Sequence, residues 1–281
     1  MATRVRIGSA EVVALVDRMH PIDPPWHYPN VPAEAWAPHR AAVRDEAYWF
    51  LNFRAFLVRA DGKTVLIDTG WGPDFAPPGA PSTPASLLVE LASQGVGPDD
   101  VDLVVFTHLH ADHVGWNLER VGDVVRPRFQ NARYLVPETD WAYFSTREEN
   151  HPNIRQNALP LASLGIMDLF QPEKVILPSL RSYPTPGHSP GHTSFVLESG
   201  GERCVVLGDL VHHPVIVAEP DWVHRFDWDP AMAIATRKRE LARLADEGTL
   251  VIPGHFPAPG FGHVRRAGGR FTWEFMEVRG Q

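Results

Sequence analysis

The chain is 281 residues long, 44% hydrophobic and 21% charged, which excludes a wholly disordered or coiled-coil molecule and leaves enough chain for a sizeable core. With 26 lysines and arginines against 34 acidic residues, the net charge is −8 and no basic block interrupts it, so nothing favours capture of a phosphate backbone. No apolar run reaches the roughly 20 residues that span a bilayer, and the lone cysteine, Cys204, forms no internal disulfide, in keeping with a reducing compartment.

The start of the chain reads as a mature cytoplasmic one, because Glu11 and Asp17 break and end the apolar stretch a signal peptide would need. Residues 5–7, 12–16, 56–59 and 65–68 are short apolar runs that predict an opening series of strands. Residues 20–49 hold Pro21, Pro24, Pro25, Trp26, Pro29, Pro32, Trp36 and Pro38 and predict a long ordered loop. The spacing predicts a helix over 82–94, with Ser82 or Thr83 as cap, Pro84 in the first turn and Gly95 at the exit.

Residues 101–107 (VDLVVFT) have the continuous apolar, β-branched character of a buried strand, as do 133–136 and 203–207. Residues 138–178 begin helically and then lose their period. A helix follows Asp229 as cap and Pro230 in its first turn, with Ile234, Leu241, Leu244 and Ala245 on one face and Gly248 at its end. LVIP at 250–253 closes the series. Strands alternating with helices predict an α/β protein, and without repeats or linkers residues 1–281 read as one domain. The segments 20–49 and 138–178 then become walls of a pocket or contacts between subunits.

Directly after the strand VDLVVFT comes His108-Leu109-His110-Ala111-Asp112-His113. Alternate residues of an extended segment point the same way, so His108 and His110 can converge on one ion. A helical turn beyond them would swing Asp112 and His113 toward a second ion. Imidazole nitrogens and carboxylate oxygens are the donors that zinc-class divalent ions accept. Three further candidates each follow a strand or tight turn: His188 in TPGHSPGH, Asp209 after RCVVLG and His255 after LVIPG. Loops at the C-terminal ends of buried strands are where α/β folds place their sites.

This ordered set resembles the metallo-β-lactamase superfamily of dinuclear metallohydrolases, over roughly residues 50 to 265. Asp68, in Leu66-Ile67-Asp68-Thr69-Gly70, resembles the family's early Asp-x-Gly element. The resemblance implies a four-layer αββα sandwich. It implies one ion on His108, His110 and His188, a second on Asp112, His113 and His255, and Asp209 between them. Zinc is the expected metal, with manganese, iron or cobalt admissible. Asp68 would orient a ligand histidine, or else be a turn aspartate.

Residues 208–263 further resemble the methyl parathion hydrolase branch and its acyl-homoserine lactonase relatives, through GDLVH, FDWDP, GHFP and PGFGH. That implies cleavage of a hydrophobic lactone or ester by a hydroxide shared between the ions, phosphotriester cleavage as a side activity, and a homodimer. Asp112 would move the proton to the leaving alkoxide. His212 stands where lactonases carry a tyrosine on the substrate carbonyl and would donate a hydrogen bond there, against the plainer reading of an ordinary histidine.

β-Lactam or thioester hydrolysis and non-catalytic metal binding are the alternatives. β-Lactam cleavage is disfavoured because zinc β-lactamases carry cysteine where this chain has Asp209. Of the aromatic residues near the expected metal edge, which include Trp49, we expect Trp26, Trp116 and Phe144 in the pocket, with His263 also lining it. His192, four past His188, reads as a polar cap in preference to a support behind a metal ligand.

Overall fold

Strands apolar on both faces must be covered on both, and that requirement organises the molecule. In the computed structural model, which describes residues 3–42, 49–77, 79 and 81–277, the chain opens with β1 (Arg4–Ile7), β2 (Ala10–Ile22), β3 (Trp49–Ala60), β4 (Lys63–Ile67) and β5 (Leu103–Val105). A small hairpin, β6 (Leu118–Val121) and β7 (Val124–Pro127), stands apart, and β8 (Arg133–Pro137) and β9 (Met167–Phe170) complete the first seven-stranded sheet. The second sheet takes seven strands in chain order: β10 (Val175–Leu177), β11 (Leu180–Pro184), β12 (Thr193–Ser199), β13 (Glu202–Gly208), β14 (Leu250–Pro253), β15 (Gly262–Ala267) and β16 (Arg270–Phe275).

The sheets meet through Val12, Phe56, Val65 and Val105 on one side and Leu180, Phe195, Cys204 and Ile252 on the other. The first sheet's outer face is covered by α2 (Leu87–Ser93), α3 (Glu138–Phe144), α4 (Pro152–Asn157) and α5 (Pro160–Ser163), placed after the short α1 (Pro24–His27). The second sheet's outer face is covered by α6 (Pro214–Ala218) and α7 (Pro230–Glu247). This is the four-layer αββα arrangement. β4, β5, β8 and β9 run parallel to one another, as do β13 and β14, so the loops leaving their C-terminal ends gather at one edge.

Helix α7 forms as its sequence predicts. The Asp229 carboxylate accepts from Met232 N at 3.0 Å, Pro230 occupies the first turn, and Gly248 closes it in the left-handed region at φ 64°. Its buried face differs in part: Thr236, Arg237 and Glu240 are buried beside Leu241 and Leu244, while Ile234 and Ala245 are only half-buried.

The helix expected over 82–94 starts only at Leu87. The buried carboxylate of Asp17 takes the amides of Ser86 and Leu87 at 3.0 and 3.1 Å and caps the helix from another strand. Thr83 instead exchanges two hydrogen bonds with Met19. The stretch 20–49 is less irregular than its prolines suggest: β2 continues to Ile22, and α1 and a 3₁₀ stretch, Ala33–Ala42, follow. Residues 43–48 of that stretch and the side chain of Trp49 lie outside the described residues. Among the described residues no helix is long and apolar enough to cross a membrane.

Candidate active site

The strand ends at Val105, the chain bends at Thr107, and the histidine-rich run begins there at the sheet edge. It then turns without forming the expected helix: His113 N donates to His110 O at 3.1 Å, and that turn brings Asp112 and His113 beside the first two histidines. Asp68, at the end of β4, sits at φ 61°, a costly conformation for a residue with a side chain. Its carboxylate takes Thr107 N, Thr107 Oγ1 and His113 Nδ1, each at 2.8 Å, and so pins both ends of the run.

Two groups of donors result. His108 Nε2, His110 Nδ1 and His188 Nε2 lie 3.1 and 3.0 Å apart in sequence. Asp112, His113, Asp209 and His255 form the second group, with Asp209 Oδ2 3.3 Å from His113 Nε2 and 3.0 Å from His255 Nε2. The same oxygen is 3.4 Å from His188 Nε2 and 3.7 Å from His108 Nε2, so Asp209 touches both groups. One side of the cluster comes from the loop after β5. The other comes from the β11–β12 turn and the ends of β13 and β14 in the opposite sheet.

The distal ring nitrogens are also held. His113 Nδ1 donates to Asp68, His188 Nδ1 to Asp227 Oδ1 at 2.9 Å, and His255 Nδ1 to Asn52 O at 3.1 Å. Thr107 Oγ1 gives its proton to Asp68 and accepts from His108 Nδ1 at 2.9 Å. Each bond occupies Nδ1 and leaves Nε2 as the nitrogen that faces inward, the outer arrangement characteristic of metal-binding imidazoles.

Electrostatics follows from burial and neighbours. Burial and the adjacent imidazoles push His108 down, and push His110 down to about 3. Burial opposes charge on His188 too, but the Asp209 and Asp227 carboxylates outweigh it and hold that ring up at about 9. His113 is likewise raised against burial by Asp209, Asp112 and Asp68. Divalent ions fit this donor set. Nitrogens on a tetrahedral ion at about 2.1 Å would be roughly 3.4 Å apart, close to the spacing seen, and His113 Nε2 and Asp209 Oδ1 are buried without a hydrogen-bond partner.

The cluster forms the floor of a cavity of about 760 Å³. Trp26 and His212 line it, but three expected pocket residues do not. Trp116 is buried in the core beneath the first sheet, its Nε1 donating to Asp17 Oδ1 at 2.8 Å. Phe144 packs behind the His110 ring in the same core and borders a smaller neighbouring recess. His263 lies on β15 and meets Thr249 O at 3.2 Å, because the strand carries it away from the metal edge. His192 is no mere cap: its Nε2 accepts from Asp209 N at 2.9 Å while Nδ1 donates to Thr185 O at 3.0 Å.

Sequence reasoning missed Asp227 and Asp140. Asp140, at the start of α3, accepts from Leu109 N, Ser189 Oγ and Gly191 N and so ties the two histidine loops together. It also missed the cavity histidines His27 and His224. The FDWDP run contained Asp227, but nothing in the sequence signalled its partner.

A sequence profile of the metallo-β-lactamase superfamily matches residues 54–255. The chain belongs to the metallo-β-lactamase superfamily. It is 33% identical over 201 residues to metallo-β-lactamase domain-containing protein 1 of Rattus norvegicus, covering 70% of this chain and 67% of that protein. It is 28% identical over 161 residues to N-acyl homoserine lactonase AiiA of Bacillus thuringiensis subsp. kurstaki, covering 57% and 58%. Among solved structures, the dizinc quorum-quenching lactonase AidC superposes with a TM-score of 0.87 at 24% identity, over 99% of this chain and 98% of that one. The hydrolase AbOPH gives 0.85 at 26% identity with the same coverage. As a member of this superfamily, the protein is a metal-dependent hydrolase.

Proposed function

We propose that the protein hydrolyses uncharged lactones or esters at a centre of two divalent ions, zinc first among them. One observation carries this reading: two donor groups share Asp209 on the floor of a cavity walled by Ile22, Leu51, Phe53, Trp71 and Phe226. Among the described residues no lysine or arginine lines that cavity. A β-lactam carboxylate or a glutathione thioester would find no lysine or arginine to pair with there, whereas a neutral lactone, aryl ester or phosphotriester loses nothing by that absence. The lactonase names carried by AiiA and AidC point the same way.

His108, His110 and His188 would hold one ion, Asp112, His113 and His255 the other, and Asp209 both. Ions bound there supply Lewis acidity for a carbonyl oxygen and acidify a water from 15.7 to about 7. The chain's own groups do the rest. Asp112 is the more open of the two carboxylates in the centre, with 17% side-chain exposure against 3% for Asp209, and so takes the proton from the attacking water and returns it to the leaving alkoxide. His212 is fully buried and pushed down to about 4 by burial, so it stays neutral and offers an N–H to the carbonyl oxygen. The apolar wall orients the acyl chain and keeps bulk water away.

Phosphotriester cleavage belongs to this proposal as a side activity of the same uncharged pocket. A homodimer joined through the 20–49 segment rests on exposed Met19, Trp26 and Phe50 near that segment. A cytoplasmic setting rests on the lone buried thiol of Cys204.

The test is elemental analysis joined to turnover of a lactone, an aryl ester and paraoxon before and after chelation. About two ions per chain are expected, with activity lost on chelation and in Asp209→Ala. Turnover that survives both treatments overturns the proposal.

A further inference from the structure

Leaving Asp209, one cavity wall is a lane of imidazoles. His212 stacks on His224 with ring centroids 3.9 Å apart and planes inclined by 17°, and His27 follows 5.5 Å beyond His224. His212 and His224 are 2% and 4% exposed, and neither ring nitrogen of either residue has a hydrogen-bond partner. His212 Nε2 comes to 3.5 Å from Asp209 Oδ2, too long for a well-formed hydrogen bond. Unsatisfied polar atoms at this depth are rare and call for an explanation. His188, His212 and His224 bring ring nitrogens within 4.8 Å of one another, but His188 Nε2 belongs to the group with His108 and His110, and the near-parallel stacked rings of the other two do not aim two lone pairs at one point.

The neighbours specify what would satisfy them. His27 Nδ1 donates to Asp23 O at 3.1 Å, which leaves its Nε2 as an acceptor. The backbone of His224 is fixed by its amide bond to Asp227 Oδ2 at 3.1 Å, and its ring by the edge of Tyr28 at 5.2 Å. His224 and His27 line the same cavity with ring centroids 5.5 Å apart, so a group between them that can both accept and donate would answer an N–H on His224 and a lone pair on His27. A hydroxyl does this, while a methyl does neither and a carbonyl only accepts.

We propose that His224 and His27 form a subsite for a hydroxyl group borne by the substrate beside its reacting carbonyl, making a hydroxy-substituted lactone or ester the preferred class. The proposal rests on the hydrolase reading above. His224 is a specificity-determining residue, and His212 between it and Asp209 links the subsite to the reacting carbonyl.

The test compares kcat/KM for α-hydroxy-γ-butyrolactone and α-methyl-γ-butyrolactone in the zinc-loaded protein and in His224→Phe and His224→Gln. Ring-nitrogen NMR shifts of His224 are followed in parallel as the matching hydroxy-substituted γ-lactam is added. One neutral hydrogen bond predicts a hydroxy preference of about three- to tenfold. Phe, which keeps the stack but cannot hydrogen-bond, should bring it to about one, and Gln should retain most of it. The lactam should move the His224 shifts. No preference in the native protein, or one unchanged in His224→Phe, overturns the subsite. Should neither lactone be cleaved while the lactam still moves those shifts, the reaction assignment fails and the subsite stands; unmoved shifts sink both.

Discussion

Asp17 interrupts the register between β2 and β3 and is fully buried, yet four donors converge on it. Oδ1 accepts from Ser86 N at 3.0 Å, Leu87 N at 3.1 Å and Trp116 Nε1 at 2.8 Å, and Oδ2 accepts from Gly72 N at 2.9 Å. Asp17→Asn keeps the volume, so no cavity term enters. Its one oxygen can serve the three-donor side, which leaves the amide NH₂ facing the N–H of Gly72. Losing that bond to a charged acceptor costs about 1.5–3 kcal/mol, and weakening the other three from charged to neutral adds roughly 1–2 kcal/mol after allowing for non-additivity. The expected loss is about 2.5–5 kcal/mol, a large share of an ordinary domain's stability. Urea unfolding of zinc-saturated protein, followed by tryptophan fluorescence, measures it at fixed ligand concentration. A variant within about 0.5 kcal/mol of the native protein would show that Asp17 is no hub.

Three further outcomes are expected. Asp227→Asn cannot accept from both His188 Nδ1 and His224 N, and should weaken zinc binding about 10–100-fold in competition with a chromogenic chelator; native affinity would refute the orienting role. Burial raises the Asp140 carboxyl from its ordinary 3.8 to about 6 despite three donors, so it binds its proton more tightly folded than unfolded. Its contribution to stability then falls by up to about 3 kcal/mol as pH rises from about 4 to 6 and is constant above. The difference between native and Asp140→Asn unfolding energies across that range should trace this loss, and parallel profiles would contradict it. Gly115→Ala would put a Cβ 1.8 Å from Trp71 O, forcing apart the loops that carry Asp68 and His113. Circular dichroism and kcat/KM should both show damage, and native values in both would mean the loops yield freely.

What the sequence made legible was chemistry placed next to strand ends. His108 to His113, His188, Asp209 and His255 announce themselves because the preceding apolar runs fix where each loop begins, and LVIP falls where β14 does. Helix α7 was readable because cap, proline and terminal glycine are all local signals. The misses are contacts between distant residues. Trp116 is drawn away from the cavity by Asp17, 99 positions earlier, and His192 accepts from Asp209 N, 17 positions later. An aromatic near the metal edge in sequence can face either side of its loop, and only the packing of α2 to α5 against the first sheet decides which. The helix at 87 begins late for the same reason, since its cap lies on another strand.

The donor cluster draws His108, His110, Asp112 and His113 from one sheet and His188, Asp209 and His255 from the other. Ions seated there would act as a clasp across the seam between the two halves, so catalytic competence and resistance to proteolysis should rise and fall together with metal supply. With ions bound across that seam, a chelated preparation would be a loosened molecule, more open to proteases, and not merely an inactive one.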